Sequence, residues 1–346
     1  MNFASDNTGG VHPRIMQAIA AANAGNLPSY GADGITGAAQ NALRRIFDAP
    51  EAAVHFVATG TAANALALSL LTPPWGRVFC HQSGHIQTSE SGAPEFYTSG
   101  AKLVPVAGAH GRIDPDALAG ALHEFGRSSV HAGRNAAISL TNATEWGTVY
   151  DPDQVATLAD AAYRAGMAAH MDGARFANAL AAQDVSPADL SWRAGVDVLT
   201  LGGTKNGCMG VEAVLIFDPA RAEEFEYRRK RGGHLLSKHR FLSAQILAWL
   251  EDGLWLEIAA HATPAWRQCW GRGCKALPAR ACWRRCRPTA FSRPCRARWS
   301  APPVLRARSS TFGPAITSTT GRGPYRCGWS AVGRRSRRMF RRYWIS

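Results

Sequence analysis

Between residues 54 and 217, short apolar runs alternate with alanine-rich or amphipathic stretches, and this alternation constrains the fold more than any other feature. Residues 54–58 read as a strand that runs into Thr59-Gly60-Thr61, with a helix over 62–71 behind it. Residues 77–80 and 102–106 read as further strands. Asp114-Pro115-Asp116 opens a helix, with a capping acid and a proline suited to the first turn. Residues 136–141 form a strand, and Asp151-Pro152-Asp153 opens a helix ending at Arg164. Strands over 167–171, 198–201 and 213–217 complete the set, and residues 240–262 read as one long helix. Strands separated by helices predict an α/β fold, a mostly parallel sheet with helices on both faces. In such a sheet ligands collect beyond the carboxyl ends of the strands.

Three motifs fall at those ends. Met171-Asp172-Gly173-Ala174-Arg175 closes one predicted strand, and Gly203-Thr204-Lys205-Asn206-Gly207 follows a later one. An acid and a lysine so placed, each beside glycines, suit pyridoxal 5′-phosphate: the carboxylate keeps the pyridine nitrogen protonated and the lysine forms the Schiff base. Thr59-Gly60-Thr61-Ala62-Ala63-Asn64 lies between a strand and a helix, where backbone N–H groups and hydroxyls make an anion pocket suited to the phosphate. Taken singly, each motif has a plainer explanation. The turn at Gly60 is often only structural, Asp172 can cap a helix, and Arg175 can form a surface ion pair. Lys205 can be a solvated lysine, and His85 a loop histidine with a local hydrogen bond. Their common position at strand ends outweighs these explanations.

Together these segments resemble the low-specificity L-threonine aldolases in their phenylserine-aldolase-like branch, pyridoxal-phosphate enzymes of fold type I. Further matching segments are Ser5-Asp6-Asn7, Tyr30-Gly31-Ala32-Asp33, Gly84-His85-Ile86, Gly92-Ala93-Pro94-Glu95, Arg228-Arg229-Lys230-Arg231 and Ser237-Lys238, so the likeness covers residues 1 to about 262. The resemblance implies cleavage of threonine to glycine and acetaldehyde, with Lys205 as the Schiff-base lysine and Asp172 on the pyridine nitrogen. It implies that His85 stacks on the ring, that Gly60, Thr61 and Thr204 help hold the cofactor, and that Ser5 and Arg175 bind the substrate carboxylate or the ring oxygen. Tyr30, Arg231 and Lys238 would reach a neighbouring subunit's site in a dimer or tetramer, Tyr30 touching its substrate. Much of the family has a histidine where this chain has Glu145, so the group that takes the hydroxyl proton is open between candidates that include His85 and Glu145. A β-eliminating aromatic amino-acid lyase, sharing cofactor and fold, is the alternative within enzymes.

The expected organisation is an N-terminal arm over residues 1–25, a large cofactor domain over 26–250, and a small α+β domain over 251–346. Composition divides the chain near residue 265. All 25 acidic residues precede it, whereas the last 82 positions carry 19 arginines, Lys275 and six of the eight cysteines. Such a tail invites a nucleic-acid-binding reading. A shifted reading frame explains it better. With each codon begun one nucleotide earlier, Met339-Phe340 forces valine, Tyr343-Trp344 forces leucine and Trp344-Ile345 forces aspartate. Residues 265–346 are therefore expected to be out of frame, and no nucleic-acid partner is expected. The remainder has two cysteines, Cys80 and Cys208, no secretory signal pattern and no apolar run long enough for a membrane span, so a cytoplasmic location without metal is expected.

Overall fold

The computed structural model describes residues 5–126 and 130–271, with side chains through residue 262. Seven strands form one sheet: β1 (Ala53–Val57), β2 (Gly76–His81), β3 (Lys102–Val106), β4 (Arg134–Thr141), β5 (Ala168–Gly173), β6 (Val198–Gly202) and β7 (Glu212–Ile216). Their order is β1-β7-β6-β5-β4-β2-β3. The pairs from β3 to β6 are parallel, and β7 runs antiparallel to both β6 and β1. The helices are α1 (Pro13–Ala21), α2 (Gly34–Ile46), α3 (Gly60–Leu71), α4 (His85–Thr88), α5 (Ala93–Tyr97) and α6 (Pro115–Phe125). They continue with α7 (Pro152–Arg164), α8 (Phe176–Ala181), α9 (Ala222–Arg231), α10 (Arg240–Leu250) and α11 (Leu254–Gly271).

Side chains alternate between two apolar layers, as strand geometry requires. Ile138, Leu199 and Leu215 enter one cluster with Phe47, Leu158, Phe176 and Trp249. Ala137, Val198 and Val214 enter a second with Leu66, Leu70 and Phe225. The expected α/β sheet covered on both faces is what the chain forms. In α3, every residue from Ala62 to Leu71 is buried, so the helix is enclosed all round rather than on one stripe, with Asn64 and Ser69 its buried polar residues.

The caps follow the sequence. Asp114 accepts from the N–H groups of Asp116 and Ala117, and Asp151 completes a capping box with Gln154. Two expectations need correction. The helix expected over 240–262 is two helices, α10 and α11, broken at Glu251–Gly253, where Asp252 (φ 53°) and Gly253 (φ 71°) take left-handed backbone angles. Continuous apolar periodicity hid a break that rests on two residues of backbone. The strand expected to stop at Met171 continues to Gly173, so Asp172 is a strand residue rather than the first of a loop. The compositional break at residue 265 falls within α11, and residues 272–346, which carry the rest of the expectation about the tail, lie outside the described residues. Among the described residues, no helix is long and apolar enough to cross a membrane.

Candidate active site

The carboxyl ends of β1 and β6 meet the amino end of β7, since Glu212 pairs with both Val57 and Gly202. On the other side of β6, Asp172 in β5 stands opposite Thr200. This register brings the three sequence motifs to one edge of the sheet.

Asp172 is 2 % exposed. Its Oδ1 accepts the Ala174 backbone N–H at 3.0 Å, and its Oδ2 accepts Asn64 Nδ2 at 3.0 Å. It does not cap the following helix, because the N-cap residue of α8 is Arg175. Each carboxylate oxygen can take a second donor, so the group can still receive a ring N–H.

Lys205 lies in the turn Thr204–Asn206 and is half-buried. The backbone around it is pinned on both sides. Thr204 Oγ1 accepts from Val211 N at 3.2 Å, Asn206 Nδ2 donates to Trp255 O at 2.8 Å, and Trp249 Nε1 donates to Asn206 O at 2.9 Å. Gly207 closes the turn at φ 92°, with Ile258 3.0 Å from where a Cβ would sit. At Gly202 a Cβ would stand 2.5 Å from Ala174 O, so glycine lets the end of β6 approach the segment that follows β5. Among the described residues, the Lys205 amine makes no hydrogen bond or ion pair.

Thr59 caps α3, its Oγ1 accepting Ala62 N at 3.2 Å. The N–H groups of Gly60 and Thr61 precede the first intrahelical donor, the Ala63 N–H that bonds to Thr59 O, and lie at the positive end of the helix. Nothing stands within 4 Å of a Cβ built on Gly60. Arg175 grips Asp6 with two bonds, Nε to Oδ2 at 2.6 Å and Nη2 to Oδ1 at 3.0 Å. Ser5 caps the same short turn, its Oγ accepting Asn7 N at 3.2 Å, and that turn packs against Thr204–Asn206.

His85 opens α4 beyond β2. Its Nδ1 is 2.8 Å from Glu90 Oε1, and its backbone N–H donates to Glu145 Oε1 at 2.7 Å. The hydrogen bond from Glu90 raises the His85 pKa, and burial raises that of Glu145. Glu145 Oε2 is buried without a partner. His85, Glu145, Lys205, Asp172, Arg175, Ser5, Thr204, Gly60 and Thr61 thus gather at one edge. Tyr30, Arg231 and Lys238 are exposed, and among the described residues none hydrogen-bonds to that group. Tyr30 faces Lys230, whose Nζ lies 4.6 Å from the ring centroid.

Sequence reasoning assigned no role to four residues of this edge. Asn64 sits inside a quoted motif and donates to both Asp172 and Glu90. Asp6 orients Arg175. Glu90 is fixed only by the path of α4, which no spacing rule anticipates. Glu212 opens an otherwise apolar strand, a signal that was available. It accepts from Gly203 N at 3.0 Å, and burial pushes its carboxyl up to about 7.

These residues fit pyridoxal phosphate: an amine free of partners among the described residues, a buried acid on the neighbouring strand, and a helix start facing open space. Among the described residues, no group of three or more His, Cys, Asp or Glu could hold a metal ion.

Comparison with known proteins agrees with this geometry. A family described as Beta-eliminating lyase matches residues 2–278. A low specificity L-threonine aldolase from a Pseudomonas species is 43% identical over 260 residues, covering 75% of this chain and 74% of that protein. Among solved structures, a threonine aldolase from Leishmania major superposes with a TM-score of 0.73 at 31% identity, covering 78% of each chain. A histidinol-phosphate aminotransferase from Clostridium acetobutylicum shares the fold alone, with a TM-score of 0.57 at 10% identity over 76% of this chain and 73% of that one.

Proposed function

We propose a reaction on the premise that this chain belongs to the beta-eliminating lyase family and to the low-specificity L-threonine aldolases. It is a carbon–carbon lyase that cleaves L-threonine, L-allo-threonine and related β-hydroxy-α-amino acids, phenylserine among them, to glycine and an aldehyde. One observation carries the reading: an amine without partners at Lys205 lies one strand away from the buried, doubly held carboxylate of Asp172.

Pyridoxal 5′-phosphate, when bound, supplies the electron sink for the pair released from the Cα–Cβ bond. Lys205 would hold it covalently, and Asp172 would keep a proton on its ring nitrogen. Gly60 and Thr61 would face its phosphate with the first N–H groups of α3, while Thr204 shapes the turn beside it. Arg175 keeps one edge of its guanidinium on Asp6, which leaves the other for a carboxylate or ring oxygen. Ser5 would assist it. His85 would lie against the ring, and the hydroxyl proton would pass to His85 Nε2 or to Glu145 Oε2.

Residues 26–250 would form the cofactor domain, preceded by an arm and followed by a small domain from 251. Tyr30, Arg231 and Lys238 would serve the site of a second copy in a homodimer or homotetramer, in the cytoplasm. The tail from residue 265 would be the product of a shifted frame. Resequencing the gene near codon 263 tests that; an uninterrupted frame through residue 346 would remove the proposal.

The family description favours one second reading, β-elimination from an aromatic amino acid. Purified full-length protein supplied with pyridoxal phosphate and L-threonine separates the two. The aldolase reading expects a visible absorption band that borohydride removes, and glycine with acetaldehyde in equal amounts. Pyruvate and ammonia from an aromatic amino acid, without glycine from threonine, would overturn it.

A further inference from the structure

Asn64 is the junction of the buried polar network, and its three polar contacts fix its orientation. Nδ2 gives one hydrogen to Asp172 Oδ2 at 3.0 Å and the other to Glu90 Oε1 at 2.8 Å, while Oδ1 accepts Thr200 Oγ1 at 2.8 Å. A flipped amide would turn its oxygen toward two carboxylates, so this orientation is the one the site permits. Glu90 has a fully buried side chain, and the same Oε1 that meets Asn64 also meets His85 Nδ1 at 2.8 Å. Its Oε2 is buried without a partner.

That arrangement decides which ring nitrogen of His85 bears hydrogen. A carboxylate accepts only, so in the neutral ring Nδ1 donates and Nε2 is left with its lone pair. The two side chains meet directly, at 2.8 Å. We propose that Glu90 is the positioning residue that fixes His85 as the Nδ1–H tautomer with Nε2 as acceptor, and that Asn64 ties this setting to Asp172. The inference rests on the aldolase reading and goes beyond it. The acid that holds the ring nitrogen and the acid that sets the histidine share one amide, so cofactor charge and histidine orientation are set together. Thr200, on the strand that leads to Lys205, completes the junction. Burial raises the Glu90 pKa, against its bonds from His85 and Asn64, and Glu90 in turn raises that of His85.

The test uses two variants of the full chain. Glu90→Gln can keep an oxygen on both donors by placing its amide nitrogen where Oε2 stands, and it removes only the charge. Glu90→Leu removes the acceptor altogether. With threonine as substrate, Glu90→Leu is expected to lower kcat about 10- to 100-fold, by analogy with the hydrogen-bond partners of metal-ligating histidines, with KM little changed. Glu90→Gln is expected to recover most of that loss. Its pH profile should differ, however: the limb that rises as His85 loses its proton should move to lower pH, because the charge that raises the His85 pKa is gone. A second readout needs no turnover. In ring-15N-labelled protein, the His85 signals, assigned by their absence in His85→Asn, should show protonated Nδ1 and bare Nε2 in the parent and in Glu90→Gln, and a mixture of tautomers in Glu90→Leu. A single Nδ1–H tautomer in Glu90→Leu, or an unmoved pH limb in Glu90→Gln, would overturn the assignment. Failure of the aldolase reading shows itself separately, as a parent protein that makes no glycine whatever its His85 tautomer.

Discussion

Asp172 in β5 and Lys205, in the turn just past the adjacent strand β6, are held in opposite ways. Asp172 has its side chain fixed, one oxygen on the Ala174 N–H and the other on Asn64. Around Lys205 it is the backbone that is fixed, through Thr204, Asn206 and Trp249, while the amine among the described residues is tied to nothing. The difference fits the roles proposed for the two groups. A carboxylate that holds a charge in place gains from preorganisation, because donors already aimed at it need not reorient during reaction. An amine that must bond to a cofactor, leave it and return needs a fixed anchor and a free end. Rigidity is therefore spent on the side chain in one case and on the main chain in the other.

Breaking the free end should have the largest effect. Lys205→Ala is expected to lower glycine formation by roughly 10⁴-fold or more, the scale seen when a covalent nucleophile is removed. It should also abolish the borohydride-sensitive absorption band. Retained turnover in that variant would end the comparison. Asp172→Asn keeps the shape of the fixed end and removes its charge. A loss of about 10²- to 10³-fold in kcat is expected, the range for a single preorganised electrostatic group, with covalent attachment at Lys205 still measurable by borohydride trapping and mass spectrometry. Equal losses of attachment in both variants would show that the two ends are not separable.

How much of this was legible in the sequence depends on which kind of constraint is considered. The strand alternation, the caps at Asp114 and Asp151, and the motifs around Gly60, Asp172 and Lys205 are local patterns, and the structure follows them. Asn64 was visible in a motif, but its two carboxylate partners come from positions 90 and 172, and only the packing of α3 across the sheet joins them. Glu90 lies five residues beyond His85 in an irregular segment that no periodicity describes. The break between α10 and α11 was missed because Leu242, Ile246, Trp249, Leu250, Leu254 and Ala259 keep an apolar pattern through it. Long-range polar pairing and left-handed backbone turns leave little trace in composition.

A smaller effect should come from Glu212, the acid under the free end. It accepts the Gly203 N–H, and burial holds its carboxyl at about 7 rather than 4.5. A raised carboxyl pKa means that its contribution to folding is complete below about 4.5 and is lost as pH rises toward about 7. Glu212→Gln retains an acceptor oxygen without that loss. It is expected to raise the stability of the protein by on the order of 1 kcal/mol at pH 8, read as a higher urea midpoint, and to lower kcat by about tenfold or less. A lower midpoint at pH 8 would mean that the charge, not the shape, supports the Lys205 turn.

The smallest expected effect concerns the strand beneath the fixed end. His170 lies two residues before Asp172 in β5, on the same face of the strand. It is fully buried, with Nδ1 2.9 Å from Ser139 Oγ and Nε2 without a partner. Burial lowers its pKa from 6.5 to about 4, with Asp172 opposing the shift. The unfolded chain therefore binds a proton at pH values where the folded one does not. The contribution to stability is whole above about 6.5 and falls away as pH drops toward about 4. The slope should be on the order of 1 kcal/mol per pH unit, visible as a falling urea midpoint between pH 6.5 and 4.5. In His170→Gln that slope should flatten while the Lys205 absorption band at neutral pH is unchanged. An unaltered slope would place the acid sensitivity elsewhere, with His55 and His239 the next buried histidines to replace, since burial lowers both. A flattened slope would instead locate it under Asp172, where the fixed end of the site depends on a histidine that stays neutral.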